Sequence, residues 1–155
     1  MNTKQNLEKA EWLLSNWNKG TGYPEANRLD VVVTAEDLRS AVSTLHEAKW
    51  GYLSAITGLD LGVESGQLEA LYHFCDGPAI TTLKVHVPRT GEACLPTIED
   101  IIPSATFFER EMSETVGFQI TGARSMDRLF ISDDWPEGVY PLRADFKVGT
   151  SGTRQ

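Results

Sequence analysis

Apolar residues recur along this chain with two different periods. Leu7, Ala10, Leu13, Leu14 and Trp17 fall at i, i+3, i+6, i+7 and i+10. That spacing predicts one face of a helix stopping near Lys19-Gly20. Gly20, Gly22 and Pro24 then act as breakers and predict a loop. Leu29 to Val33 is rich in β-branched residues and predicts a strand. Thr34 has the character of an N-cap, with Asp37 placed to reach back to it. The helix that follows presents Leu38, Ala41, Val42 and Leu45 on one side.

The middle of the chain predicts β structure. Trp50 to Asp60 is apolar and closed by Gly58 and Gly62, and two further runs, Gln67 to Cys75 and Ile80 to Val87, flank the turn signal Asp76-Gly-Pro-Ala79. Folding these two runs back on each other sets Leu68 opposite Val87, Ala70 opposite Val85 and Tyr72 opposite Leu83. All six residues are apolar and share one face. The other face pairs Glu69 with His86, Leu71 with Lys84 and His73 with Thr82. A buried face and a mostly polar one suit an antiparallel sheet.

Beyond Pro96 the pattern returns to helix. Thr97 has N-cap character, with Glu99 and Asp100 in the first turn, where the helix dipole favours acids. Pro103 interrupts, and Ser104 can cap a second helix running to about Val116 and ended by Gly117. Arg128 to Ser132 predicts a short strand or extended segment. Asp133 to Phe146, rich in Asp, Pro and Gly, should run over the surface as an extended arm. The expected architecture is an α+β fold, with helices packed on a mostly antiparallel sheet. Residues 1–147 form one domain in this reading, and 148–155 a flexible tail.

Composition narrows the classes of function. The chain has 155 residues, 41% of them hydrophobic, and a net charge of −8. That length can bury a core without metals or disulfides. No basic stripe exists to neutralise phosphates, which argues against nucleic-acid binding. An anionic membrane surface would repel the chain, so membrane contact would come through a partner. No signal-peptide pattern and no transmembrane-length apolar run is present. Cys75 and Cys94 have no metal-type spacing, and the expectation is a soluble cytoplasmic protein with reduced thiols.

Candidate chemistry is sparse. Glu109-Arg110-Glu111 with Glu114 is the densest ionisable cluster. On a helix Arg110 and Glu114 are i, i+4 neighbours, and Glu111 and Glu114 are i, i+3. Three readings fit: a small acid/base enzyme using Glu111 and Glu114, a solvated helix face, or charges desolvated at a protein interface. His73, Cys75 and His86 lie on one hairpin but lack a fourth ligand for a tetrahedral metal site. His46 stands alone beside an apolar stripe. No Gly-x-Ser-x-Gly, activated cysteine or phosphate-binding glycine loop occurs. The segment from Trp135 to Phe146 carries two aromatics near its turn, Trp135 and Tyr140, and an expected Arg143–Asp145 pair. It either wraps its own domain or crosses onto a partner, where Trp, Tyr and Arg are favoured anchors.

Four elements, in order, resemble the 30 kDa subunit family of respiratory complex I, the membrane NADH dehydrogenase. Glu109-Arg110-Glu111-x-x-Glu114 with Gly117-Phe118 is similar to the family's signature. Tyr52 to Asp60 is similar to its strand ending in Asp. Arg128-Leu-Phe-Ile-Ser-Asp-Asp-Trp135 and Tyr140-Pro-Leu-Arg-Ala-Asp-Phe146 resemble its Arg-x-Leu, Asp-Trp and Pro-Leu-Arg-Lys-Asp-Phe elements. Two departures mark a divergent member: Gly122-Ala123-Arg124 stands for the family's Gly-His-Pro, and Ala144 for its Lys. The Pro103-Ser104-Ala105 lead-in and the run from Trp135 to Tyr140 look closer to the energy-converting hydrogenase branch.

The resemblance implies a non-catalytic peripheral subunit on the cytoplasmic side of the membrane, with no cofactor of its own. Its implied partners are a large catalytic subunit (49 kDa-like with a quinone site, or nickel–iron-type) and a neighbouring iron–sulfur subunit. Glu109, Arg110, Glu111, Glu114, Arg128, Trp135, Tyr140, Arg143 and Asp145 are the expected partner-interface residues. An adaptor domain outside this family is the alternative.

Overall fold

The computed structural model describes residues 1–149. Its elements, in order, are α1 (Thr3–Leu13), β1 (Gly20–Glu25), β2 (Arg28–Val32), α2 (Leu38–Glu47), β3 (Tyr52–Asp60), β4 (Gln67–Asp76), β5 (Ala79–Pro88), β6 (Cys94–Pro96), α3 (Ala105–Val116) and β7 (Gln119–Thr121). Five strands form the main sheet in the order β1-β2-β5-β4-β3, and β6 and β7 make a small separate pair. The fold is α+β and mostly antiparallel, as expected. The exceptions are the parallel pairings of β2 with β5 and β6 with β7. The tail expected after Lys147 lies, from residue 150 on, outside the described residues.

The central hairpin has the register its alternation predicts. Leu68 pairs with Val87, Ala70 with Val85 and Tyr72 with Leu83. These six side chains are 0–5% exposed and form the floor of the core. Leu7, Ala10 and Leu14 of the first helical segment and Leu38, Ala41, Val42 and Leu45 of α2 pack into the same core. The Trp50 indole donates to the Asn6 carbonyl at 2.9 Å, fastening α1 to the start of β3. On the opposite face polar pairs meet: Glu69 with His86 at 2.6 Å and Lys84 with Asp30 at 3.1 Å.

Four local expectations change. Residues 20–25 are a strand, not a loop. At a sheet edge Pro24 needs no ladder partner for its missing N–H, so the breakers are tolerated there. Thr34 accepts from the Asp37 backbone N–H at 3.1 Å in a turn preceding the helix, and is not the cap itself. Thr97 opens a turn instead of a helix, with its hydroxyl accepting from the Glu99 N–H at 3.1 Å. Arg128 to Ser132 forms bends without a strand partner.

α3 lies across β3, and one glycine permits that approach. A Cβ on Gly58 would sit 2.6 Å from Met112 Cγ and 2.9 Å from the Phe118 ring. Both neighbours are buried, so neither can step aside freely. Gly58→Val should therefore destabilise the domain by about 1–3 kcal/mol through overpacking. Urea unfolding checks this, with the exposed neighbour Thr57→Val as a control expected to stay within about 0.5 kcal/mol.

Candidate functional site

The charged residues singled out from the sequence gather around α3 and the segment after β7, but few of them pair as expected. Glu109 faces inward and is 1% exposed. Its Oε2 accepts from the Thr97 hydroxyl at 2.6 Å and its Oε1 from the Ile98 N–H at 2.7 Å. Burial pushes its carboxyl above the ordinary range, against the pull of these two donors. Glu109 therefore spends both carboxylate oxygens within its own domain. It fastens the Thr97 turn to α3, while Arg39 of α2 holds the same turn through a bidentate pair with Asp100 at 2.6 and 2.7 Å.

Arg110 and Glu114 do not bond to each other. Arg110 donates to the Asp127 carbonyl at 2.8 Å and the Arg128 carbonyl at 3.2 Å. Glu114 accepts from the N–H groups of Leu129 and Phe130 at 2.9 and 2.8 Å. Two turns of one helix thus satisfy the backbone of an irregular segment that has no ladder to satisfy it. Arg128 repeats the device further on, donating to the carbonyls of Ser132 and, at 2.7 Å, Trp135. The Trp135 indole donates to the Val139 carbonyl at 2.8 Å and its ring lies 6.0 Å from that of Phe146.

The end of the arm is tied to the sheet. Tyr140 lies against Gly117, the left-handed C-cap of α3 (φ 92°), where a Cβ would come within 2.6 Å of the phenol ring. The Leu142 N–H donates to the Thr115 carbonyl at 2.9 Å. Arg143 stacks over Tyr140 at 5.3 Å and donates to the carbonyls of Val116 and Arg89. The expected Arg143–Asp145 pair does not form. Asp145 instead meets Arg89 at 2.7 Å.

Asp60 is the anchor of this region, and the sequence offered only its place at a strand end. Its carboxylate is 1% exposed. It accepts from Arg89 Nε and Nη2 at 2.8 and 2.9 Å, from the Gly62 N–H at 3.0 Å and from the Ala144 N–H at 2.8 Å. The Arg89 hydrogen bonds hold its carboxyl far below the usual carboxylate range, assisted by the two backbone donors. Asp60 and Arg89 thus join β3, β5 and the arm at one point.

The acid/base reading finds no shared pocket. Glu111 faces a groove lined by β3 and α3, whereas Glu114 lines a different depression under Trp135. The possible metal residues are also separate: His73 Nδ1 meets the Thr82 hydroxyl at 3.0 Å, His86 meets Glu69, and the Cys75 thiol donates to Ser54 at 3.5 Å. Among the described residues no group of three or more His, Cys, Asp or Glu is placed to hold a metal ion. No helix among them is long and apolar enough to cross a membrane.

The motif-bearing segments thus form one continuous structural unit, and comparison with known proteins gives that unit a family. The family described as respiratory-chain NADH dehydrogenase, 30 Kd subunit, matches residues 31–151, and the chain belongs to it. A membrane-bound hydrogenase subunit beta from Pyrococcus furiosus is 44% identical over 90 residues, 57% of this chain and 51% of that protein. The chain therefore spans about half the length of that relative. An NADH-quinone oxidoreductase subunit from Ruegeria pomeroyi is 28% identical over 149 residues, 94% of this chain and 70% of that one. Among solved structures, a chain of the membrane-bound sulfane sulfur reductase, an archaeal respiratory membrane complex, superposes with a TM-score of 0.79 at 26% identity. The match covers 93% of this chain and 86% of that one. Those relatives are named as subunits of a membrane-bound hydrogenase and of an NADH-quinone oxidoreductase, and the structural neighbour belongs to a respiratory membrane complex.

Two outcomes follow from this geometry. Asp60→Asn should release the arm, giving about tenfold faster tryptic cleavage at Arg128 and Arg143 in the folded protein. Because Asp60 titrates below its ordinary 3.8 when folded, its contribution should be complete above about pH 5 and fade as pH falls below 3.8. Glu109→Ala, which leaves the buried Ile98 N–H unpaired, should cost about 1–3 kcal/mol by urea unfolding, and Glu109→Gln less.

Proposed function

We propose that this chain is a non-catalytic peripheral subunit that docks, through α3 and the arm laid over it, onto the large catalytic subunit of a complex I-type membrane oxidoreductase. On this reading the redox groups reside in the large subunit and a neighbouring iron–sulfur subunit, and the membrane is reached only through the complex. The large subunit is 49 kDa-like if the complex reduces quinone, or nickel–iron-type if it is an energy-converting hydrogenase. The names of the relatives support an assembly role, and the 44% identity to a hydrogenase subunit favours the second kind.

The observation that carries the reading is how α3 and the arm treat their apolar side chains. The arm is pinned to its own domain by Glu114, Arg128, Arg143 and Asp60, so it is rigid without a partner. Yet Phe107, Phe130 and Leu142 are 56%, 71% and 62% exposed on and beside this pinned surface. Large apolar side chains on a rigid, backbone-satisfied surface are what a preorganised interface presents. Arg110, Arg128, Tyr140 and Arg143 then act mainly by shaping that surface, with Glu111 left free to meet a partner charge.

Affinity purification through a tag on this chain tests the reading. The wild-type chain should bring down a large redox subunit in stoichiometric amount. Phe130→Glu with Leu142→Glu should lose most of it while leaving the isolated chain's unfolding midpoint unchanged. Arg143→Glu should also weaken retention, but with faster proteolysis of the arm. Full retention in both variants contradicts the proposal.

A further inference from the structure

The two edges of the main sheet are treated differently. At one edge β1 is short, carries Pro24, and shifts register between Gly22 and Glu25. These are devices that stop an edge from pairing with another chain. At the other edge β3 runs for nine residues, Tyr52–Asp60, with no proline and no lysine. Its one irregularity lies between Leu53 and Ala55, after which pairing with β4 continues unbroken to Asp60. Its only charged residue, Asp60, is turned into the arm's anchor. No backbone bond from another described segment covers the outer edge of residues 55–58.

A groove of about 190 Å³ runs along this open edge. One wall is four consecutive β3 residues, Ala55, Ile56, Thr57 and Gly58. Consecutive strand residues point to alternate faces, so a groove that meets all four meets their main chain edge-on. The other wall is Phe108, Glu111, Met112 and Thr115, one face of α3, and Leu142 of the arm closes the end. Apolar groups dominate, with one exposed carboxylate, Glu111, for which no ion pair or side-chain hydrogen bond exists among the described residues.

We propose that the outer edge of β3 is a strand-docking site for an extended segment of a partner subunit, with apolar residues at alternate positions and a lysine or arginine set against Glu111. Main-chain hydrogen bonds to β3 supply affinity, and the α3 wall reads the side chains. Charge selects the class of occupant. A second copy of this chain would bring another −8 and a second Glu111 to the same edge, so edge-to-edge pairing with itself is opposed. The inference rests on the proposed role as a docking subunit, and adds where and in what conformation the partner binds.

The test uses the assembled complex purified through a tag on this chain, compared with the isolated full chain. Amide exchange within residues 55–58 should slow at least about tenfold in the complex, the change expected for one ordinary edge hydrogen bond. With p-benzoylphenylalanine in place of Thr57, illumination of the complex should cross-link to an extended peptide of another subunit that carries a lysine or arginine. Glu111→Lys should speed dissociation of the large subunit about two- to fivefold, consistent with loss of one partly exposed ion pair. A complex that assembles while residues 55–58 exchange as in the free chain overturns this inference and leaves the docking function standing. A cross-link to a second copy, or to residues 150–155 of the same chain, also overturns it. If no large redox subunit co-purifies, the functional reading falls and takes the inference with it.

Discussion

A carboxylate removed from water must find its full set of donors within the protein, and Asp60 finds four. Two come from Arg89 at the end of β5, one from Gly62 in the turn after β3, and one from Ala144 in the arm. These donors lie in three different parts of the chain, so satisfying one buried charge fixes the relative positions of two strands, a turn and a segment far away in sequence. The arm has almost no regular secondary structure of its own. Without this point of attachment the far end of the arm would depend on the contacts of Leu142, Arg143 and Asp145 alone.

The same constraint explains how the other conspicuous charges are used. An irregular segment laid on a helix leaves its N–H and C=O groups without ladder partners. Arg110, Glu114, Arg128 and Arg143 supply those partners from side chains, and Glu109 does so for the turn at Ile98. A cluster with the composition of an acid/base site is therefore a scaffold for backbone. Its effect is to hold a surface rigid, and the cost of ordering that surface is met during folding and not at the moment of binding.

Rigidity and exposure then divide the molecule. Helices cover one face of the sheet, and short polar pairs such as Glu69 with His86 close over the other. The β1 edge is blunted. What stays apolar and open is concentrated where α3, the arm and the β3 edge meet. The chain belongs to the 30 kDa subunit family, and this open apolar region is the surface on which the proposed docking rests.

Much of this was legible in the residues. The β4–β5 register followed from alternation alone, because a shift of one position would turn Leu68, Ala70 and Tyr72 out of the core. The buried face of α2 and the end of α3 at Gly117 followed from helical period and glycine's tolerance of positive φ. Ordered motifs from Tyr52 to Phe146 pointed to the family. β1 escaped notice because its Gly and Pro are acceptable only at an edge, and edges are decided by strand order. The parallel β2–β5 pairing, the inward turn of Glu109 and the Asp60–Arg89–Asp145 junction escaped it for a related reason. Each joins residues many positions apart, so the partner of a given charge depends on which elements the core brings together. Local pattern determined which residues are buried and where most elements lie. Tertiary packing decided which charges meet, and hence that Arg110, Glu114, Arg128 and Arg143 spend their bonds on holding irregular backbone in place.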